Sequence, residues 1–178
     1  MLLANHFLGA EIRYLPDGTD LYTYTIELDV YTNLSSPSDR PEVAFEFGDG
    51  TVDTIPRVEI LEFLNVGVCS GVKLSTYHTT HTYPGPGSYY LHYIDQNRSG
   101  SIINIPSPIS QGICVEALLV IDPILGANHS LTFESMQFVF SRNWSTLIHE
   151  TAPMDMDGDS LSFELVVPQG NACQPIPG

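Results

Sequence analysis

From Asp20 to Thr32 the chain alternates Tyr22, Tyr24, Ile26, Leu28 and Val30 with Thr23, Thr25, Glu27 and Asp29. Such a period-two pattern predicts a strand with one face buried. Val43, Phe45 and Phe47 alternate in the same way with Glu42, Ala44 and Glu46, and Tyr89, Leu91 and Tyr93 with Tyr90 and His92. Ile113, Val115, Ala117, Leu119 and Ile121 share one parity, with Cys114 and Glu116 on the other. Turn clusters separate these runs: Pro16-Asp17-Gly18, Ser35 to Ser38, Gly48-Asp49-Gly50, Pro84 to Gly87 and Pro106-Ser107-Pro108. Only Arg57 to Asn65 is open to two readings, a short helix or an edge strand.

Short strands at regular spacing predict an all-β fold, an immunoglobulin-like β-sandwich in which two amphipathic sheets bury their apolar faces. The 14 Gly and 13 Pro leave little room for a long helix. A boundary is expected near Asp122-Pro123, dividing the chain into a sandwich over 1–122 and a partial second β region over 123–178. Candidate strands in the second part are Leu131 to Phe133, Phe138 to Phe140, Trp144 to Ile148 and Leu161 to Val167. They either belong to a truncated sandwich or complete a sheet of the first domain or of another copy.

Composition narrows the function classes. Of 178 residues, 43% are hydrophobic and 15% charged, which fits a packed domain rather than an extended disordered chain. Asp plus Glu number 21 against 6 Lys plus Arg, a formal net charge of -15. The basic residues Arg13, Arg40, Arg57, Lys73, Arg98 and Arg142 are scattered, so no stripe exists to bind nucleic acid or anionic lipid. No run of about 20 apolar residues is present, so direct membrane insertion is not expected. Cys69, Cys114 and Cys173 form no C-x-x-C pair, and a Cys69–Cys114 disulfide is the expected pairing, with Cys173 left over. Six histidines accompany no His-Glu-x-x-His, and no Gly-x-Ser-x-Gly occurs, so no enzymatic activity is expected.

Two separated pieces, Phe45 to Thr51 (Phe-Glu-Phe-Gly-Asp-Gly-Thr) and His81 to Tyr89 (His-Thr-Tyr-Pro-Gly-Pro-Gly-Ser-Tyr), resemble the signatures of PKD domains. The stretch between them, Val52 to Thr80, is longer than is usual in such domains. Asn5 to Tyr14 and Asn97 to Pro108 also resemble segments of large PKD-containing surface proteins of gliding bacteria. That resemblance implies an extracellular, cell-surface location, and a chain that is the N-terminal part of something larger. Asp155-Met156-Asp157-Gly158-Asp159 resembles the Asp-x-Asp-Gly-Asp strand entry of cadherin-like repeats. The carboxylates of Asp155, Asp157 and Asp159, joined by Glu150, are therefore the candidate ligands for Ca2+, which takes 6 to 8 oxygens. The competing reading is a solvated turn whose Asp side chains cap their own backbone.

Three roles remain open. The leading expectation is a structural or adhesive surface module that meets other surface proteins. A carbohydrate-binding module is the second, with Tyr31, Tyr77 and Tyr90 as its platform because their parity opposes the apolar faces. Assembly of copies of the chain into a fibre by β-strand addition is the third.

Overall fold

The computed structural model describes residues 7–18, 20–64, 71–96, 98–100, 102, 104–134 and 152–176. The fold is all-β. Seven strands, β1 (Phe7–Pro16), β2 (Thr23–Asn33), β3 (Glu42–Glu46), β4 (Val52–Leu64), β5 (Gly71–Thr82), β6 (Gly87–Asp95) and β7 (Ile113–Ile121), join in the order β1-β2-β5-β4-β3-β6-β7. Every neighbouring pair is antiparallel. A short pair, β8 (Thr132–Phe133) and β9 (Pro153–Met154), lies apart from this sheet. The one helical turn among the described residues is a 3-10 turn at Pro108–Ser110.

The strands fall into two layers, and β4 belongs to both. Its first half pairs with β3 from Val52 to Pro56, and its second half pairs with β5 from Arg57 to Leu64, with an irregularity between Arg57 and Glu59. A register break of this kind bends a strand and lets it turn from one layer into the other. The ambiguous stretch from Arg57 is thus the second half of a long strand. Val52 to Thr80, which sequence spacing marks as an insert, supplies β4 and nearly all of β5 and is part of the sandwich itself.

Between the layers lie Tyr24, Ile26, Leu28 and Val30 of β2, opposed by Phe45, Leu91, Tyr93, Leu119 and Ile121 of the other layer. These are the apolar sets that the alternation picks out, and their burial is the main driving force for bringing the two layers together. β2 is buried on its second face too, where Asp29 and Tyr31 are covered. There Arg13 is bonded to Glu11, Glu27 and Asp29, and Thr76 donates its hydroxyl to Asp29. Burial pushes the Glu11 carboxyl up, against the pull of Arg13. On the inner side Arg40 grips Asp95 through its two terminal guanidinium nitrogens, at 2.8 and 3.1 Å.

Residues beyond Pro123 are tied back to the sandwich at several points. The Ser130 N–H donates to the Tyr14 carbonyl, and the Tyr14 N–H to the Ser130 hydroxyl, both at 2.9 Å. Arg98, which is buried, donates to the carbonyls of Gly112 (2.9 Å) and Gln169 (2.7 Å). Of the strands expected in this region, Leu131 to Phe133 appears as β8. Phe138 to Phe140 and Trp144 to Ile148 lie outside the described residues. Leu161 to Val167 is not a strand: among the described residues no neighbouring strand pairs with it, and its side chains are exposed.

Candidate functional site

The two separated pieces Phe45 to Thr51 and His81 to Tyr89 meet in space. Gly48 and Gly50 adopt φ of 84° and 92°, in the left-handed region that suits glycine, and so reverse the chain after β3. Asp49 accepts the Thr51 N–H at 2.9 Å and lies 2.8 Å from His81 Nε2. The His81 ring stacks on Phe47 at 4.1 Å and meets Tyr83 edge-on at 4.7 Å. Burial alone would raise the Asp49 carboxyl, but the bonds from His81 and Thr51 outweigh it and hold the group below its ordinary range. This constellation is a structural lock between the turn after β3 and β5, in which the Asp49 carboxylate is engaged by both Thr51 and His81.

The acidic segment lies beside the seam between β1 and β7. Asp155 Oδ1 accepts the N–H of Asp157 at 2.9 Å and of Asp159 at 3.0 Å, a carboxylate capping its own turn around Gly158. Asp157 turns to His129, accepting its backbone N–H at 2.7 Å and lying 2.9 Å from Nδ1. Those two bonds hold the Asp157 carboxyl below its ordinary value. Asp155, Asp157 and Asp159 do not bring three oxygens to one point, and Glu150 lies outside the described residues. The arrangement is that of a self-capping turn docked on His129. Asp155→Ala is expected to cost about 1 kcal/mol in urea unfolding, with millimolar Ca2+ leaving the melting temperature of the unmodified chain unchanged. A calcium-dependent rise that Asp159→Asn removes would reverse this assignment. His129 and Ser130, which seat the segment, stand in the sequence only as part of an Asn-x-Ser sequon at Asn128, a pattern that says nothing of this contact.

Of the three tyrosines expected to form a platform, one is placed to do so. Tyr90 is 49% exposed on the outer face of β6, paired across the ladder with Leu118 of β7. Tyr31 and Tyr77 are buried. Parity fails for Tyr31 because both faces of β2 are covered, and burial pushes its hydroxyl up to about 12. Tyr77 points into the space between the layers, where its hydroxyl donates to the Arg40 carbonyl at 2.8 Å.

The disulfide joins Cys114 to Cys173 rather than to Cys69. Folding brings the segment after Gln169 against the start of β7, through Arg98 and the contact of Asn171 with Gly112, and so sets Cys173 beside Cys114, with Cα atoms 5.1 Å apart. Cys69 lies outside the described residues. His92 is the third ligand-type side chain next to this pair, and it is held between Glu46 (3.2 Å) and Glu116 (2.7 Å). Alkylation under denaturing, non-reducing conditions is expected to find one free thiol, Cys69, and a linked Cys114–Cys173 peptide. Closing a loop of this length stabilises by about 2 to 4 kcal/mol, so Cys173→Ser should lower the urea midpoint accordingly; three free thiols would refute the bridge.

The described residues thus define an all-β sandwich with a disulfide-tethered C-terminal segment. No protein-family model matches the chain, and no curated protein or solved structure matches it at a significant level.

Proposed function

We infer that this chain is a structural or adhesive module of a cell surface, with no reaction of its own, and that its contact face is the outer side of β6 and β7. The observation that carries this reading is an apolar strip on a strongly acidic chain: Tyr90 beside Leu118 and Val120, all more than 40% exposed. Exposed apolar groups gathered on one face mark contact sites more often than scattered ones do. The Cys114–Cys173 bridge supports an oxidising, extracellular setting, because disulfides are rare where thiol reductants are maintained. The polar constellations described above support a non-catalytic role, since Asp49 with His81 and Asp157 with His129 are engaged in holding turns and segments.

Tyr90 also favours a second reading, carbohydrate binding, because an exposed ring on a flat sheet face can stack on a sugar. One pair of assays separates the two. Adhesion of the purified chain to intact cells is expected to fall at least about tenfold in Tyr90→Ala and in Leu118→Ser, a loss of about 1.4 kcal/mol, with melting temperatures unchanged. Undiminished adhesion in both variants would remove the strip from the reading. Binding to a glycan array that Tyr90→Ala abolishes would move the function to carbohydrate recognition.

A further inference from the structure

β1 and β7 stand at the two ends of the strand order. Six successive antiparallel pairings separate them, so they run in the same direction, one on either side of a cleft of about 440 Å3. The cleft is bridged near one end, where the Tyr14 hydroxyl donates to the Leu118 carbonyl at 3.0 Å and Ser130 bonds to both backbone groups of Tyr14. Those bonds fix which way the edge groups face. In an antiparallel pair alternate residues direct their N–H and C=O away from the partner strand. Tyr14 directs both toward Ser130, so Ile12 and Ala10, two and four residues back in the same register, direct theirs into the seam as well. The Leu118 carbonyl likewise places the edge groups of Glu116 and Cys114 on the seam side of β7. The seam is a slot between two sheet edges that do not pair; their Cα atoms approach within 8 Å in places, against the roughly 10 Å that a strand between them occupies, so the edges must part slightly to admit one.

The stretch that contains Leu161 to Val167 is attached on either side of that segment, at Asp157 and at Gln169. At the Tyr14 end Asp157 is bonded to His129, the neighbour of Ser130. At the other end Leu165, Val166 and Val167 border a hollow with Ile113, Cys114 and Glu116, and the Gln169 carbonyl is held by Arg98. The segment therefore runs opposite to β1 and β7, as an added antiparallel strand would. Ser160 to Val167 can span about 26 Å when extended, against about 13 Å from Cys114 to Leu118, so length is no obstacle. Leu161, Phe163, Leu165 and Val167 alternate with Ser162, Glu164 and Val166, yet Phe163 is 58% exposed and Leu165 fully exposed. An apolar strand pattern held in water, with its last residues at the start of β7, is a mismatch that one movement resolves.

We propose that the β1/β7 seam is a strand-binding slot for an extended peptide with apolar residues at alternate positions, and that its occupant is the chain's own segment Leu161 to Val167. Insertion parts the two edges by a few ångströms, about the difference between 8 Å and two strand spacings, pairs the segment with one or both of them, covers its apolar side chains and closes the sandwich toward a barrel. Tethering at both ends gives the segment a high effective concentration at its own slot compared with that of another molecule.

Amide hydrogen exchange on the full chain tests this. Alternate amides between Leu161 and Val167, together with those of Ile12 and Glu116, are expected to exchange at least roughly 100-fold more slowly than in an unfolded chain. Phe163→Pro removes a ladder donor, and should return the segment, Ile12 and Glu116 to fast exchange while the β2 and β5 amides stay protected. Phe163→Ser, which keeps the donor and removes the apolar anchor, should reduce the protection in part. Segment amides that exchange at the unfolded rate would overturn the proposal. Protection that disappears on dilution, with a dimer seen by light scattering, would overturn it as well, because the occupant would then be a second copy.

Discussion

Gly48→Ala is expected to destabilise the fold by about 4 kcal/mol, a large fraction of the stability of an ordinary domain. Two effects add. The residue sits at φ of 84°, where a Cβ meets the adjoining carbonyl and costs about 1 to 2 kcal/mol. That Cβ would also lie 2.6 Å from both the backbone N and the backbone O of Tyr90, atoms that cannot move without shifting β6. Gly50 provides the internal control. It has φ of 92°, but nothing lies within 4 Å of its Cβ position, so Gly50→Ala should cost only the backbone part, about 1 to 2 kcal/mol. Urea unfolding of the two variants side by side measures the difference, and equal costs would mean that the β3–β4 turn does not press on β6.

Arg40→Ala is expected to cost about 3 to 5 kcal/mol, because it leaves the Asp95 carboxylate buried without its counter-charge. Asp95 is 1% exposed, and both of its oxygens face the Arg40 guanidinium, with the Tyr93 hydroxyl donating to one of them at 3.1 Å. The low dielectric that strengthens the pair makes a buried carboxylate without that guanidinium expensive. Adding Asp95→Asn to Arg40→Ala removes that charge, so the double variant should be more stable than Arg40→Ala alone. Chemical denaturation of the two single variants and the double closes the cycle. A loss below about 1 kcal/mol for Arg40→Ala would put the pair among surface ion pairs of little consequence.

The strands that alternation makes legible, β2, β3, β6 and β7, carry a continuous apolar set on one parity. β5 escapes notice because it is covered on both faces: Val72 and Thr76 on one, Ser75 and Tyr77 on the other, so that its sequence from Ser75 to Thr82 reads as a polar run with no period. β4 escapes for the opposite reason. Ile55 is its one buried residue, while Val58, Ile60, Leu61 and Leu64 are all exposed, so its apolar positions do not outline a buried face. The turn at Gly48-Asp49-Gly50 was legible, but its bond to His81 joins residues 32 positions apart and becomes visible only once β5 is placed. Cysteine pairing and the burial of Tyr31 and Tyr77 are likewise tertiary facts, fixed by how Arg98 and Asn171 seat the last segment and by what covers the outer face of β2. Asp155 to Asp159 announces a turn rich in carboxylates, whereas the use of those carboxylates depends on His129, 28 residues upstream of Asp157.

Because a single strand, β4, is stitched into both layers, neither layer can form or come apart as an independent folding unit. Its first half needs β3 and its second half needs β5, and β5 in turn pairs with β2 across a sequence gap of 47 residues between Asp29 and Thr76. Such long-range pairings have to be assembled nearly at once, which places folding in the slow, millisecond-to-second regime of high-contact-order β proteins. The same wiring makes unfolding all-or-none across the two layers, so a pull that peels β4 from one layer also removes the strand on which the other depends.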